Sequence, residues 1–209
     1  MMKSAVVLAT HNGEKYLSEQ LRSIATQSLT VNLLVLVDDC SSDATVAIAK
    51  GFRGEFADIM IIELKENVGT ALAFEVGLAA VYDDIDVIFF SDQDDVWRHD
   101  RVEINLACFK SESECVVAIS DLELVDSTLK STGGSYMKAS YGEDPSKAHV
   151  LNLLFRNAAP GCAMTIRKSL LNSVMPFPPD VVMHDWWILL VGSYVGKVQY
   201  LPDRLVMFR

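Results

Sequence analysis

The chain has 209 residues, of which 50% are hydrophobic and 22% charged, and its 28 acidic against 18 basic side chains give a formal charge of −10. That length predicts one domain, or one domain with an elaboration, burying roughly 70% of its unfolded surface on folding. The apolar content excludes intrinsic disorder. The acidic balance, with no Lys/Arg cluster, argues against nucleic acid as a partner. The four cysteines, Cys40, Cys108, Cys115 and Cys162, form no CxxC pair and no common zinc spacing, which predicts reduced thiols in a cytosolic protein.

Nothing after Met1-Met2-Lys3-Ser4 resembles a signal-peptide cleavage site, and the longest weakly polar stretch, Trp186 to Gly196, is too short to span a bilayer. The expectation is a soluble intracellular chain. In chain order, the runs Ala5–Ala9, Leu33–Val37, Ile59–Ile62 and Val87–Phe90 are apolar without alternation, as strands buried on both faces of a parallel sheet are. Tyr16, Leu17, Gln20, Leu21 and Ile24 form one helical stripe. Ser42 is a candidate cap for a helix over Asp43–Lys50, and Thr70 for one over Ala71–Val81. Strand–helix alternation three times over predicts an α/β fold with a Rossmann-like, doubly wound, mainly parallel sheet.

Arg101–Lys110 then reads as a helix and Cys115–Ile119 as a strand. Ser127–Ser146, rich in Gly, Ser, Thr and Lys, reads as a loop. Ala148–Phe155 looks helical, Ala163–Ile166 like a strand, Met175–Pro179 like a turn and Asp185–Val195 like a helix. Two short strands, near Val198–Leu201 and Leu205–Phe208, are expected at the end. Trp186 and Trp187 adjoin on the helix and point about 100° apart, which predicts one in the core and one free to stack on a ligand.

Ligands of open parallel sheets sit beyond the carboxyl ends of the strands. Here those ends carry Thr10-His11-Asn12-Gly13, Asp38-Asp39-Cys40-Ser41-Ser42-Asp43, Asn67-Val68-Gly69 and Ser91-Asp92-Gln93-Asp94-Asp95. Three acids within four positions raise one another's pKa unless a cation neutralises them, and hard oxygens at i and i+2 suit Mg²⁺ or Mn²⁺. A solvated acidic turn, with Asp100 capping the next helix, is the plainer account of the same residues. G-x-G-x-x-G, the P-loop, HExxH and G-x-S-x-G are all absent, which disfavours a dinucleotide dehydrogenase, a P-loop enzyme and an α/β-hydrolase.

Ala9–Gly13, Val37–Asp43, Asn67–Gly69, Phe90–Trp97 and Met183-His184-Asp185-Trp186-Trp187 together resemble family 2 glycosyltransferases, nearest to rhamnosyltransferase-like members that assemble bacterial surface polysaccharides. The resemblance covers the chain in order. It implies a GT-A fold, with residues 1–110 as the nucleotide-sugar half and 111–209 as the acceptor-binding and catalytic half of the same domain. It also implies that Thr10, His11 and Asn12 line the nucleotide pocket, that Asp39 accepts the N3–H of uracil or thymine, and that Asn67 and Gly69 border the nucleotide-sugar. Asp92 and Asp94 would hold Mg²⁺ or Mn²⁺, Asp95 would touch the donor sugar, and Asp185 would be the general base, with His184 as second choice. Cys162 would border the acceptor cleft and is a poor nucleophile. The family often carries Tyr-Arg-x-His where this chain reads Phe208-Arg209 and stops, so a motif cut short is expected there.

The implied partners are a nucleoside-diphosphate sugar donor and a saccharide or lipid-linked acceptor, with no nucleic acid. The implied location is the cytoplasm, and a lipid-linked acceptor would bring the enzyme peripherally to the inner membrane face. Two alternatives stay open: a sugar-phosphate nucleotidyltransferase, although Ala9–Lys15 lacks its Gly-rich, Arg-containing loop, and a catalytically silent sugar-binding subunit of an assembly complex.

Overall fold

The first four apolar runs are strands: β1 (Ser4–Thr10), β2 (Leu33–Asp38), β3 (Ile59–Glu63) and β4 (Val87–Ser91). The computed structural model that shows this describes residues 2–141, 157 and 159–209. β1 lies between β2 and β4, parallel to both, with Ala5 level with Leu33 and with Ile88. Every residue of β2 and β4 is buried, as unalternated runs require. β3 is the edge strand on β2 and only partly buried, so it departs from the expectation of burial on both faces.

Helices α1 (Leu17–Ala25), α2 (Thr45–Gly51) and α3 (Thr70–Ala79) connect these strands, and α4 (Arg101–Ser111) follows β4. α1 buries Leu17, Gln20, Leu21 and Ile24, the stripe read from the sequence. α2 starts later than expected because Ser42 does not cap it. Asp43 Oδ1 accepts the Thr45 N–H at 2.9 Å instead, and the Ser42 N–H donates to Asn12 Oδ1 at 2.9 Å. Nor does Thr70 cap α3, since it is already helical and follows Gly69 at φ 85°.

The second half comprises β5 (Val96–Trp97), β6 (Cys115–Val125), β7 (Ser131–Ser135), α5 (Tyr136–Tyr141), β8 (Met164–Arg167), α6 (Leu171–Val174), α7 (His184–Val195) and β9 (Lys197–Phe208). All nine described strands form one sheet in the order β3-β2-β1-β4-β8-β6-β9-β5, with β7 paired to β6. β8 runs antiparallel to β4 and β6, and β9 parallel to β6.

Two expectations change in this half. The two closing strands are one strand of 12 residues, in which Ser120 pairs with Leu201 and Asp121 with Arg204. The bulge between them takes in Pro202, which has no N–H to give a ladder. The segment read as a loop contains β7 and α5. Its Ser-Thr-Gly-Gly-Ser sequence has no apolar alternation, so only pairing with β6 makes it a strand. The helix expected over Ala148–Phe155 lies outside the described residues. No helix among the described residues is long and apolar enough to cross a membrane.

α3 packs on the sheet through a close approach at Gly77, where a Cβ would run into Val7 Cγ1 and lie 3.1 Å from Val37 Cγ2. This contact fixes how near α3 sits to β1 and β2. Gly77→Ala is therefore expected to lower stability by about 1–2 kcal/mol although alanine favours helices, because a packed strand must shift. Adding Val7→Ala in the same chain should recover part of that loss, as read by urea or thermal melts.

Candidate active site

The carboxyl ends of β1, β2 and β4 open onto a cleft of about 200 Å³ lined by Ala9, Thr10, His11, Asp39, Thr70, Ala73, Asp92, Gln93 and Asp94. Local hydrogen bonds set each wall. Thr10 Oγ1 donates to Asp38 Oδ1 at 3.0 Å, and the same carboxylate accepts from Ser41 N–H at 2.9 Å and Ser41 Oγ at 2.6 Å. The His11 N–H donates to Gln93 Oε1 at 2.9 Å while Gln93 Nε2 donates back to the His11 carbonyl at 3.1 Å, clamping the end of β1 to the acidic turn after β4.

His11 is held by its edges. Its Nδ1 lies 2.7 Å from the Asp39 carbonyl oxygen, which makes Nδ1 the protonated nitrogen and leaves Nε2 to accept from Asn12 Nδ2 at 3.0 Å. Asn67 Nδ2 reaches the same Asp39 carbonyl at 3.4 Å. The Asp39 carboxylate accepts the Val68 and Gly69 N–H groups at 2.7 and 2.9 Å. It thus takes up donors just ahead of α3 and retains lone pairs for a ligand.

Thr10, His11, Asp39, Asp92 and Asp94 meet on this cleft. Asn12, Asn67 and Gly69 stand behind it, bonded to His11 and Asp39 rather than lining the walls. Asp95 departs most from its expected role. It is 1% exposed and absent from the cleft wall, turned into the protein, where the Cys162 thiol hydrogen-bonds to it.

Burial pushes the Asp92 carboxyl up to about 7, with Asp95, Asp94 and Asp185 adding like-charge repulsion. Burial likewise raises Asp95 to about 6, against the opposing Cys162 hydrogen bond. Asp185, at the start of α7, is 2% exposed and also raised by burial. The Asn157 side chain and the N–H groups of Trp186 and Gly161 hydrogen-bond to its carboxylate. His184 is a core residue. Its ring stacks on Phe74 at 4.0 Å, neither ring nitrogen has a hydrogen-bond partner, and burial pushes its pKa down to about 3. Cys162 is buried and its thiol is pushed up by burial and by Asp95 and Asp92, so it is no nucleophile at neutral pH.

Two further residues stand beside the acidic turn: Arg209, which the sequence reading marked only as part of a motif cut short, and Arg101, which it did not mark. Arg209 donates through Nη1 to the Asp94 carbonyl and through Nη2 to Glu19, with its guanidinium 4.5 Å over the Tyr16 ring. Arg101 is fully buried under the turn, 3.9 Å over the Trp97 ring. No sequence signal marks Arg101. Arg209 is 115 positions from Asp94, and a first-turn helix arginine ordinarily faces water.

Trp186 and Trp187, expected on different faces, both line one apolar groove of about 270 Å³ with Val181, Val182, Met183 and Leu190. Leu190 follows them by four and three positions, so the groove runs along the edge the two indoles share.

The chain matches the model of glycosyl transferase family 2 over residues 5–172. It belongs to that family. It is 28% identical to the dTDP-rhamnosyl transferase RfbG of Shigella flexneri, over 96% of this chain and 70% of that one. An uncharacterized glycosyltransferase, alr2836 of Nostoc sp., is 25% identical over 100% of this chain and 65% of its own length. The structure of S. aureus TarS 1–349 with UDP-GlcNAc superposes with a TM-score of 0.79 at 21% identity, covering 100% of this chain and 59% of that one. The mannosyltransferase PcManGT of Pyrobaculum calidifontis, with GDP-Man and Mn²⁺, gives 0.71 at 17% identity, over 99% and 56%. These neighbours share the GT-A fold, and the chain spans only part of their lengths.

The donor set fits a hard divalent cation, since Asp92 and Asp94 offer carboxylate oxygens on one cleft wall, and burial, with the neighbouring acids second, disfavours an ionised Asp92 that no cation balances. Because Asp92 titrates near 7 when folded and near 3.8 when unfolded, the folded chain keeps a proton the unfolded chain has released, and stability falls as pH rises between those values. Asp92→Asn should therefore be the more stable protein at pH 8 without metal, by about 2–4 kcal/mol, and lose that advantage near pH 4. Denaturant melts at the two pH values check this. His184 acts oppositely, costing stability below pH 6.5, so the comparison at pH 8 is free of it.

Proposed function

We propose that this family 2 chain is an inverting, metal-dependent hexosyltransferase, moving a sugar from a UDP- or dTDP-sugar to a saccharide or lipid-linked acceptor in surface polysaccharide synthesis. The observation that carries the reading is the polar cleft at the ends of β1, β2 and β4, with the acidic turn on its wall and the buried Asp185 near enough to raise the pKa of Asp92. Residues 1–110 supply the donor walls, and residues 111–209 supply Asp185 and the acceptor side. The relative named for dTDP-rhamnosyl transfer favours dTDP-rhamnose among donors, and the neighbours solved with UDP, UDP-GlcNAc and GDP-Man favour a nucleoside diphosphate in the cleft. Work on cytoplasmic nucleotide-sugars suits a chain without a membrane-spanning helix among its described residues, and a lipid-linked acceptor would hold it at the inner membrane face.

In this reading Thr10 and His11 contact the nucleoside and Asp39 accepts the base N3–H. Asn12, Asn67 and Gly69 hold those two groups in place. An acceptor hydroxyl attacks the anomeric carbon as the bond to the diphosphate breaks, and its proton passes to Asp185, whose burial makes it a better base than an exposed carboxylate. Mg²⁺ or Mn²⁺ at Asp92 and Asp94 would neutralise charge on the departing diphosphate. Asp95 supports this turn from beneath rather than touching the sugar.

Asp185→Asn and Asp94→Asn should each lower transfer by about 10²–10³-fold without unfolding the protein, measured as nucleoside diphosphate release; near-parental rates in both would overturn the assignment. Saturation with the right nucleotide and Mn²⁺ at about 100 Kd should add roughly 2.7 kcal/mol and raise Tm by roughly 5–10 °C. UDP, dTDP and GDP tested side by side would identify the base. Pyrophosphate release from a nucleoside triphosphate and a sugar phosphate would instead favour the nucleotidyltransferase.

A further inference from the structure

Beyond the pair Leu8–Ser91 the strands β1 and β4 part. β1 runs on to Thr10 beside β2, and Thr10 and His11 line the cleft from the β1 side, Asp92 and Asp94 from the β4 side. Across that gap one side chain takes the place of a backbone ladder. Gln93 Oε1 accepts the His11 N–H at 2.9 Å, and Gln93 Nε2 donates to the His11 carbonyl at 3.1 Å. The amide thus pairs with both backbone groups of one residue, as a neighbouring strand would, and the pairing fixes which end of the amide carries the oxygen. Gly13 is a second, independent sign that the amide belongs there. Among the described glycines only Gly69 and Gly133 lie in the left-handed region, so the backbone of Gly13 would accept alanine. What excludes a Cβ is Gln93, because that atom would run into Oε1 and lie 2.7 Å from Cδ. Asn12, between His11 and Gly13 at φ 49°, makes the turn that lets both residues meet one side chain.

A glutamine that only covered the turn would need neither the pairing nor the missing Cβ. Gln93 is flanked by Asp92 and Asp94, so whatever fixes its side chain restrains the peptide units that carry both carboxylates. The His11 ring is held separately, by the Asp39 carbonyl at 2.7 Å and Asn12 Nδ2 at 3.0 Å. We propose that Gln93 is a positioning residue of the donor site: seated in the notch that Gly13 leaves open, it sets the span between the nucleoside wall at His11 and the carboxylates that meet the diphosphate and its cation. Losing it leaves the nucleoside contacts in place and misaligns the acidic turn with them. A carboxylate of the same length cannot replace it, because it has no hydrogen to give the His11 carbonyl, although it would add a fourth acid to the turn.

This inference rests on the donor-site reading above, and binding to the full chain at pH 8, where an introduced carboxylate is ionised, separates the two. UDP or dTDP with saturating Mn²⁺ is titrated by calorimetry, and uridine or thymidine, which has no phosphate to reach the acidic turn, by NMR. Gln93→Ala should weaken the diphosphate by about fivefold or more beyond any loss of the nucleoside, a split that general loosening of the fold would not give. Gly13→Ala, whose Cβ displaces the amide, should show the same split. The double variant should bind no more weakly than Gln93→Ala alone, since both changes act through one contact. Gln93→Glu should also weaken the diphosphate, whereas a turn acting by charge alone would hold Mn²⁺ and its diphosphate more tightly. A smaller split in either alanine variant, effects that multiply in the double variant, or binding by Gln93→Glu that equals or exceeds the parent's overturns the positioning role. If Gln93→Ala does not fold, Gly13→Ala and Gln93→Glu decide by the same criteria. A parent chain that binds neither diphosphate with Mn²⁺ overturns the donor-site reading itself, and this inference with it.

Discussion

Four carboxylates, Asp92, Asp94, Asp95 and Asp185, are gathered where β4 ends and α7 begins, and two of them, Asp95 and Asp185, are out of water. Such a concentration is unfavourable in any fold, and much of the surrounding structure can be understood as its support. Gln93 clamps the turn to β1, and Arg209 reaches in from the end of β9 to the Asp94 carbonyl. Backbone N–H groups satisfy Asp185, and the raised pKa of Asp92 reflects burial first and repulsion from the neighbouring acids second. A fold optimised for stability alone would place fewer acids here.

The sheet makes the gathering possible. β4 occupies the middle of the strand order, with parallel β1 on one side and antiparallel β8 on the other. The parallel side presents strand ends and helix starts to the cleft. The antiparallel side brings the 3₁₀ turn Gly161–Ala163 against those ends, so that Cys162 and Asp185 reach the acidic turn from sequence positions about 70 and 90 residues later. His184, next to Asp185, is spent on packing against Phe74 and Phe90, and this anchors the start of α7.

Adjacent residues in one motif therefore serve unlike ends. In His184-Asp185 the ring is core and the carboxylate is the candidate base. In Asp92–Asp95 the outer acids of the cleft wall differ from the inward Asp95. A motif read along the chain gives the chemistry available, and the direction of each side chain decides which part of it is used.

The strands β1 to β4, their parallel order and the ligand-bearing loops were legible in the sequence because buried parallel strands have a distinctive unalternated pattern and polar loops follow them directly. The polar, acidic lining of the cleft was legible for the same reason, since Thr10, His11, Asp39, Asp92 and Asp94 directly follow or end those strands. β7 and the unbroken β9 were not, because a Ser-Thr-Gly-Gly-Ser strand and a strand with Pro202 in its bulge owe their form to their neighbours. The inward turn of Asp95, the burial of Arg101 and the arrival of Arg209 at Asp94 were decided only by tertiary structure, because each depends on charges brought together across the fold from distant positions in the chain.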